Sequence, residues 1–488
     1  MSRAACALAL AAIACAGLSG CLGSAAGVRF VPASAHGLGA DAWDLRLLSA
    51  LGDPATSGLS KWTRQFDAPA KAYDIDGDGV DELIAQANDT NVYVFRALTG
   101  HVLAVLPTTY PPAWHIERVL NPVEAGVLRP GEPPSLVVTD HAAYVAAWRY
   151  DPAHSTKDKF AFTKTFDRRM TECHASPGMD AKATLADVGD GGAKEILVQT
   201  EEVGFYALRA DGSTLWKQCW GGGNSAPAVA DIDGDGRPEA IVASDAGVIS
   251  VLDAAKGYPK WTFDSRSLGI TPASVSVAPT VADLDGDGRM EILYTARNAP
   301  KGGPETFAND HFAIFAIHQA PGGSAGEVLW EREPAWGNPL SYTTLVVRDV
   351  DGDGRPDIFG MDWNTIGHYP GNWERLGPAH VFRLDAQGND VWVREMDTWW
   401  SNKDVALLDV DGGVSLLVNG PGGGFDGLWR LSAQTGSAQA FLPLDGWKMA
   451  RGAQILDLRH DGNPLLVFAV EPTDGALPRG AFLVFNAQ

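Results

Sequence analysis

An all-β ring of eight four-stranded blades is the fold this sequence predicts, and three observations predict it. One acidic phrase, D-x-D-G-D-G-x-x-[DE], recurs along the chain at a mean spacing of roughly 55 residues, which is a blade period rather than a helical-repeat period. Each copy lies between two short apolar runs of strand character, and a further turn, strand, Gly and Trp-bearing strand follow in the same order. The 55 Gly and 30 Pro suit many short strands joined by turns, and an apolar fraction of 45% is ample for a large core.

Taken in chain order, the N-terminus comes first. A single Arg3 precedes small apolar residues from Ala4 to Gly17, too short for a membrane span and right for the core of a signal peptide. The segment ends in Leu18-Ser19-Gly20-Cys21, which resembles the lipobox of bacterial lipoproteins. That resemblance implies cleavage of residues 1–20, a lipid on Cys21 and an extracytoplasmic place at the bacterial outer membrane, on its periplasmic or its surface side. Leu22 after the cysteine fits that sorting. Residues 21–60, rich in Ala, Gly and Ser, read as a flexible tether. Once Cys6 and Cys15 leave with the signal, Cys173 and Cys219 remain, a pair available for a disulfide outside the cytosol, with free thiols as the alternative.

The repeat occupies residues 61–488. Full copies are DIDGDGVDE from Asp74, DIDGDGRPE from Asp231, DLDGDGRME from Asp283 and DVDGDGRPD from Asp349. Degenerate copies begin at Asp187, Asp409 and Asp457, and a worn one near Val127 is marked mainly by the following Leu136-Val137-Val138. Each unit reads as strands A to D, with the acidic loop joining A to B. The last unit ends after Phe482-Leu483-Val484-Phe485 without a D strand. Lys61-Trp62-Thr63-Arg64-Gln65-Phe66 matches Lys260-Trp261-Thr262-Phe263 and is expected to supply it, closing the ring and hiding both open edges. Seven blades would result if the unit at Val127 were not one. The recurrent D-strand tryptophans, Trp62, Trp216, Trp261, Trp330 and Trp392, read as core between blades.

Acids at positions 1, 3, 5 and 9 of the loop, with Gly at 6 for the turn and a backbone carbonyl at 7, make an oxygen cage for a hard cation. The expected ligands are Asp74, Asp76, Asp78 and Glu82; Asp231, Asp233, Asp235 and Glu239; Asp283, Asp285, Asp287 and Glu291; and Asp349, Asp351, Asp353 and Asp357. Carbonyls of Val80, Arg237, Arg289 and Arg355 would join them. A crowded, flexible carboxylate cage favours Ca2+ over Mg2+, which keeps several waters in a strict octahedron. An EF-hand is excluded, because position 12 holds Ala85, Val242, Tyr294 and Gly360 instead of the bidentate Glu. The nine-residue form followed directly by a strand resembles the calcium hairpins of integrin α-subunit propellers and of bacterial FG-GAP/VCBS repeat proteins. The resemblance implies about four structural calcium sites on a β-propeller, with the degenerate loops empty.

In such a ring the A–B loops and C–D turns share one face, and the B–C and D–A loops share the other. The long irregular segments all belong to the second face. They bring Trp114, Trp363, His368, Tyr369, Trp373, Arg375, Trp399 and Trp400 forward as ligand contacts for a polysaccharide or protein partner. A net charge of −22 argues against nucleic acid, which needs clustered Lys and Arg. H-E-x-x-H and C-x-x-C are absent from the sequence. A monomeric, non-enzymatic binding or scaffold module is therefore expected. The alternative, a polysaccharide-lyase-like enzyme on the same propeller, would call on His368, Arg375, His115 and Arg118.

Overall fold

The computed structural model describes residues 45–51, 66 and, from 68 to 487, all but short stretches, the longest being 109–121, 269–277, 299–310, 337–343, 397–403, 421–425 and 473–479. The chain is an eight-bladed propeller of antiparallel four-stranded sheets. Its helical content among the described residues is two 3-10 turns, Pro152–His154 and Ser265–Leu268. Blade 1 runs Lys71–Tyr73, Glu82–Gln86, Asn91–Arg96 and Val102–Pro107 as strands A to D, and the pattern repeats around the ring. The worn unit is a complete blade, Glu124–Gly126, Ser135–Thr139, Tyr144–Tyr150 and Phe162–Arg169, so the seven-bladed alternative falls.

Position in the blade explains the sequence pattern. B strands are covered by neighbouring blades on both faces, and ELIAQ, SLVVT, EAIVA and DIFGM are buried at every position. D strands lie outermost and alternate: in Pro259–Asp264 only Trp261 and Phe263 are buried. A strands are short and lie beside the axis, half-buried in most blades and buried in blade 2. There Glu124 bridges Lys71 (2.8 Å) and Lys182 (2.9 Å), tying together the inner edges of blades 1 to 3.

Blade joins to blade through a repeated aromatic contact. The D-strand Trp216, Trp330 and Trp392 each donate an indole N–H, at 2.9 Å, to a carbonyl in the C–D turn of the next blade: Ala254, Ala386 and Ala433. Two or three residues on in that turn stands a glycine at positive φ, Gly257, Gly388 or Gly436, on which the ring packs. A β-carbon on Gly257 would lie 2.5 Å from the Trp216 ring, so this position requires glycine for space as well as for backbone. Phe166 packs on the turn glycine Gly212 in the corresponding way, and Trp261 packs on Gly326, the first residue of a D strand.

The ring closes with an N-terminal strand in the last blade, but a different one from that expected. Leu45–Leu51 pairs antiparallel with Ala481–Ala487, which lies beside Leu465–Pro472. This places a paired strand within the stretch expected to be a tether. Residues 61–65, including Trp62, lie outside the described residues. Phe66 is fully buried and does not extend the sheet; it wedges between blades 8 and 1 against Phe482 and Phe95, with ring centroids 4.8 and 6.1 Å away.

Candidate metal centres and the loop face

The A–B loops are built by their first and last acids. Position 1 organises the turn: Asp74 accepts N–H bonds from Gly77 (2.8 Å) and Gly79 (2.9 Å), and Asp231, Asp283 and Asp349 repeat both. Position 9 begins strand B and reaches back to accept the N–H of position 2. The pairs are Glu82 with Ile75 (3.0 Å), Glu239 with Ile232 (2.8 Å), Glu291 with Leu284 (2.8 Å) and Asp357 with Val350 (3.1 Å). These four acids are buried, an expensive place for a carboxylate without a cation.

In each loop three carboxylates converge to within 4.8 Å of one another: Asp74, Asp76 and Asp78; Asp231, Asp233 and Glu239; Asp283, Asp285 and Glu291; Asp349, Asp351 and Asp353. Among the described residues, groups of three or more acid, His or Cys side chains close enough to share an ion occur at these loops only. Position 5 is bound by the N–H of position 7, from Val80, Arg237, Arg289 and Arg355, at 2.7–2.9 Å. An all-oxygen, carboxylate-rich donor set of this kind fits a hard divalent cation.

Electrostatics separate the four. Burial, then the repulsion of neighbouring Asp residues, pushes Glu82 up to about 8 and Glu291 up to about 7. Burial also raises Glu239 and Asp357, but each has a basic side chain against it that pulls the other way. Lys260, from strand D, lies 2.7 Å from both Asp233 and Glu239 and 3.4 Å from Asp235. Arg383, from strand C, lies 2.5 Å from Asp351 and 2.7 Å from Asp357. The sequence reading missed both, since neither lies within the motif.

The degenerate loops keep the hairpin with fewer acids. Glu195 still accepts the Val188 N–H at 3.2 Å, and Asp457 still accepts from Asp461 and Gly462. Asp409 is paired with Arg348 of the preceding blade, at 2.6 Å.

On the opposite face, residues 362–380 leave blade 6 between strands B and C as a hairpin, Thr365–His368 paired with Asn372–Arg375. His368, Trp373 and Arg375 stand on it, with Gly367 opposite Trp373 and Thr365 opposite Arg375 in register. Trp363 and Tyr369 lie outside the described residues, as do Trp114, His115, Arg118, Trp399, Trp400 and Cys21. The root of the hairpin is clamped by a pair that the sequence reading did not single out. The fully buried Asp362 accepts the backbone N–H of His380 and lies 2.8 Å from its Nδ1. Cys173 and Cys219 form a disulfide, Cα–Cα 5.0 Å, that joins the segments following strands D of blades 2 and 3. No helix among the described residues is long and apolar enough to cross a membrane.

Comparison with known proteins agrees with this architecture. A family model described as an FG-GAP-like repeat matches residues 231–294, spanning the acidic loops of blades 4 and 5. No curated protein matches the chain. Among solved structures it is similar to BamB from Moraxella catarrhalis, with 13% identity, TM-score 0.52 and coverage of 91% of this chain and 100% of that one. It is also similar to Sqt1 from Saccharomyces cerevisiae, at 11% identity and TM-score 0.55, covering 87% and 97% of the two chains. A quinohemoprotein alcohol dehydrogenase from Comamonas testosteroni aligns at 12% identity and TM-score 0.55, covering 91% of this chain and 76% of that one. At such identities the likeness concerns the fold alone.

Proposed function

We propose, from an FG-GAP-like repeat set in an eight-bladed propeller, that this chain is a calcium-stabilised binding or scaffold module, exported and held at a bacterial membrane by a lipid on Cys21. The observation that carries the calcium reading is the convergence of three carboxylates in every full A–B loop and in no other place among the described residues. The acids of positions 1, 3, 5 and 9, with the position 7 carbonyl, would hold the ion. When bound it would neutralise carboxylates that otherwise repel, and so fasten strand A to strand B.

Export is supported by the lipobox-like sequence ending at Cys21 and by the Cys173–Cys219 disulfide, a bond of oxidising compartments. The partner is a polysaccharide or a protein, met on the face of the B–C and D–A loops, where the blade 6 hairpin projects. A rigid, fully paired scaffold with long loops at one end is the usual arrangement for recognition.

One series of measurements tests this reading. Chelator-stripped protein is titrated with calcium while its thermal midpoint is followed, then offered acidic and neutral polysaccharides with both binding and chain cleavage recorded. A calcium-dependent rise in midpoint, with binding but no cleavage, and loss of binding in Trp363→Ala and Trp373→Ala, is the expected result. No response to calcium, or cleavage of a polymer, overturns it. Metabolic labelling with a fatty acid, lost in Cys21→Ala, tests the anchor.

A further inference from the structure

Two of the four acidic hairpins contain a cation of the chain's own, and we infer that these two are closed by Lys260 and Arg383, leaving the tight calcium sites to blades 1 and 5. The inference rests on the calcium reading above and narrows it.

In blade 4 the Lys260 ammonium contacts positions 3, 5 and 9 of the loop, three of its four carboxylates. It is held there by its place on strand D beside Trp261, which is 3% exposed. In blade 6 the Arg383 guanidinium contacts positions 3 and 9 and is itself only 2% exposed. Its other amino group donates to the Gln434 carbonyl of the next blade at 3.1 Å, which fixes the head in place.

Calcium takes six to eight oxygens at about 2.3–2.6 Å. It cannot share Asp233 and Glu239 with an ammonium that already lies in hydrogen-bond contact with both. To enter blade 6 it must strip a buried guanidinium of its carboxylates, leaving a buried charge without a partner. Blades 1 and 5 impose no such cost. Among the described residues no Lys or Arg pairs with Asp283, Asp285, Asp287 or Glu291. Arg96 reaches only Asp78 in blade 1, at 3.9 Å, and leaves positions 3 and 9 clear. The same motif thus serves in two ways: as a cage for an external ion, or as one half of an internal ion pair.

The test uses the full chain, stripped with chelator, in equilibrium dialysis against radiolabelled calcium. Two tight sites are expected. Asp285→Asn should remove one and Lys260→Met should add one, with thermal unfolding checked for each variant. Because Arg383→Met can unfold blade 6, hydrogen exchange of the unmutated protein supplies a second measurement. Calcium should protect residues 74–82 and 283–291 and leave 231–239 and 349–357 unchanged. Four equal tight sites, or calcium protection of 231–239, overturn the inference and leave the calcium reading standing. No bound calcium in the unmutated protein or in Lys260→Met overturns both.

Discussion

Single side chains hold the blades in register, and their contributions can be measured. Trp216→Phe keeps an aromatic ring but loses the bond to the Ala254 carbonyl and part of the packing on Gly257, so it should cost about 1–3 kcal/mol by denaturant unfolding. Trp216→Ala also opens a cavity and should cost about 3–5 kcal/mol. Gly257→Ala strains the same contact from the other side, and the double change Trp216→Ala/Gly257→Ala should cost less than the sum of the two, because the clash needs both partners. A separate expectation concerns pH. Burial pushes the Asp140 carboxyl up to about 6, against the hydrogen bonds it accepts from Tyr144 and Ala142. A folded-state value above the unfolded one favours the protonated native form. The contribution is therefore whole below about pH 4 and is lost as pH rises through about 6. Asp140→Asn, which keeps an acceptor for Tyr144, should flatten that decline, read as the difference between the two stability–pH curves. None of these pairings is visible in the sequence, whereas the recurrence of Trp at one point of the repeat is. Lys260 escaped for the same reason: it lies 21 residues beyond Glu239, and only the fold brings a D-strand lysine under an A–B loop.

Whole strands and loops were easier to read where the repeat was strong. The four full loops, and even the worn unit at Val127, gave their blades, because a B strand buried on both faces leaves an apolar run such as Ser135–Thr139 after the acids have eroded. The closing strand was harder. Lys61–Phe66 copies the Trp-bearing D strand of blade 4, and LRLLSAL does not. Yet the D strands of blades 1 and 7, VLAVLP and AQAFLPL, also lack Trp, so the aromatic marks a contact between particular blades and not the D position itself. The loop face was legible as a place, since long insertions stand out against a regular period, and the blade 6 hairpin is where residues 362–380 put it. Its buried root was not, because Asp362 and His380 come together only when strands B and C pair. The disulfide between the segments after blades 2 and 3 closes a loop of 46 residues. Its loss in Cys173→Ser/Cys219→Ser should cost about 2–4 kcal/mol. The faster hydrogen exchange should be confined to blades 2 and 3, because each blade touches only its neighbours.

The ring as a whole shuts at one seam. Seven junctions join blades that follow one another in sequence; the eighth joins blade 8 to blade 1 through contacts such as Asp81 with Leu458 and Ala70 with Gln454, and blade 8 is itself completed by Leu45–Leu51 pairing with Ala481–Ala487. A proline at Ala50, opposite Leu483 in the register, should unseat that strand and expose an unpaired edge. The expected result is concentration-dependent oligomers in size exclusion with most of the sheet signal retained; a monomer of unchanged midpoint would show that the seam contributes little. The seam also sets an order of events. Among the described strands the first to leave the ribosome is the partner of the last, so it must wait, unpaired, while every other blade is made. A nascent chain stalled just before Ala481 holds seven finished blades and no circle. Emergence of Ala481–Ala487, and not completion of any earlier blade, is the moment at which the ring can close.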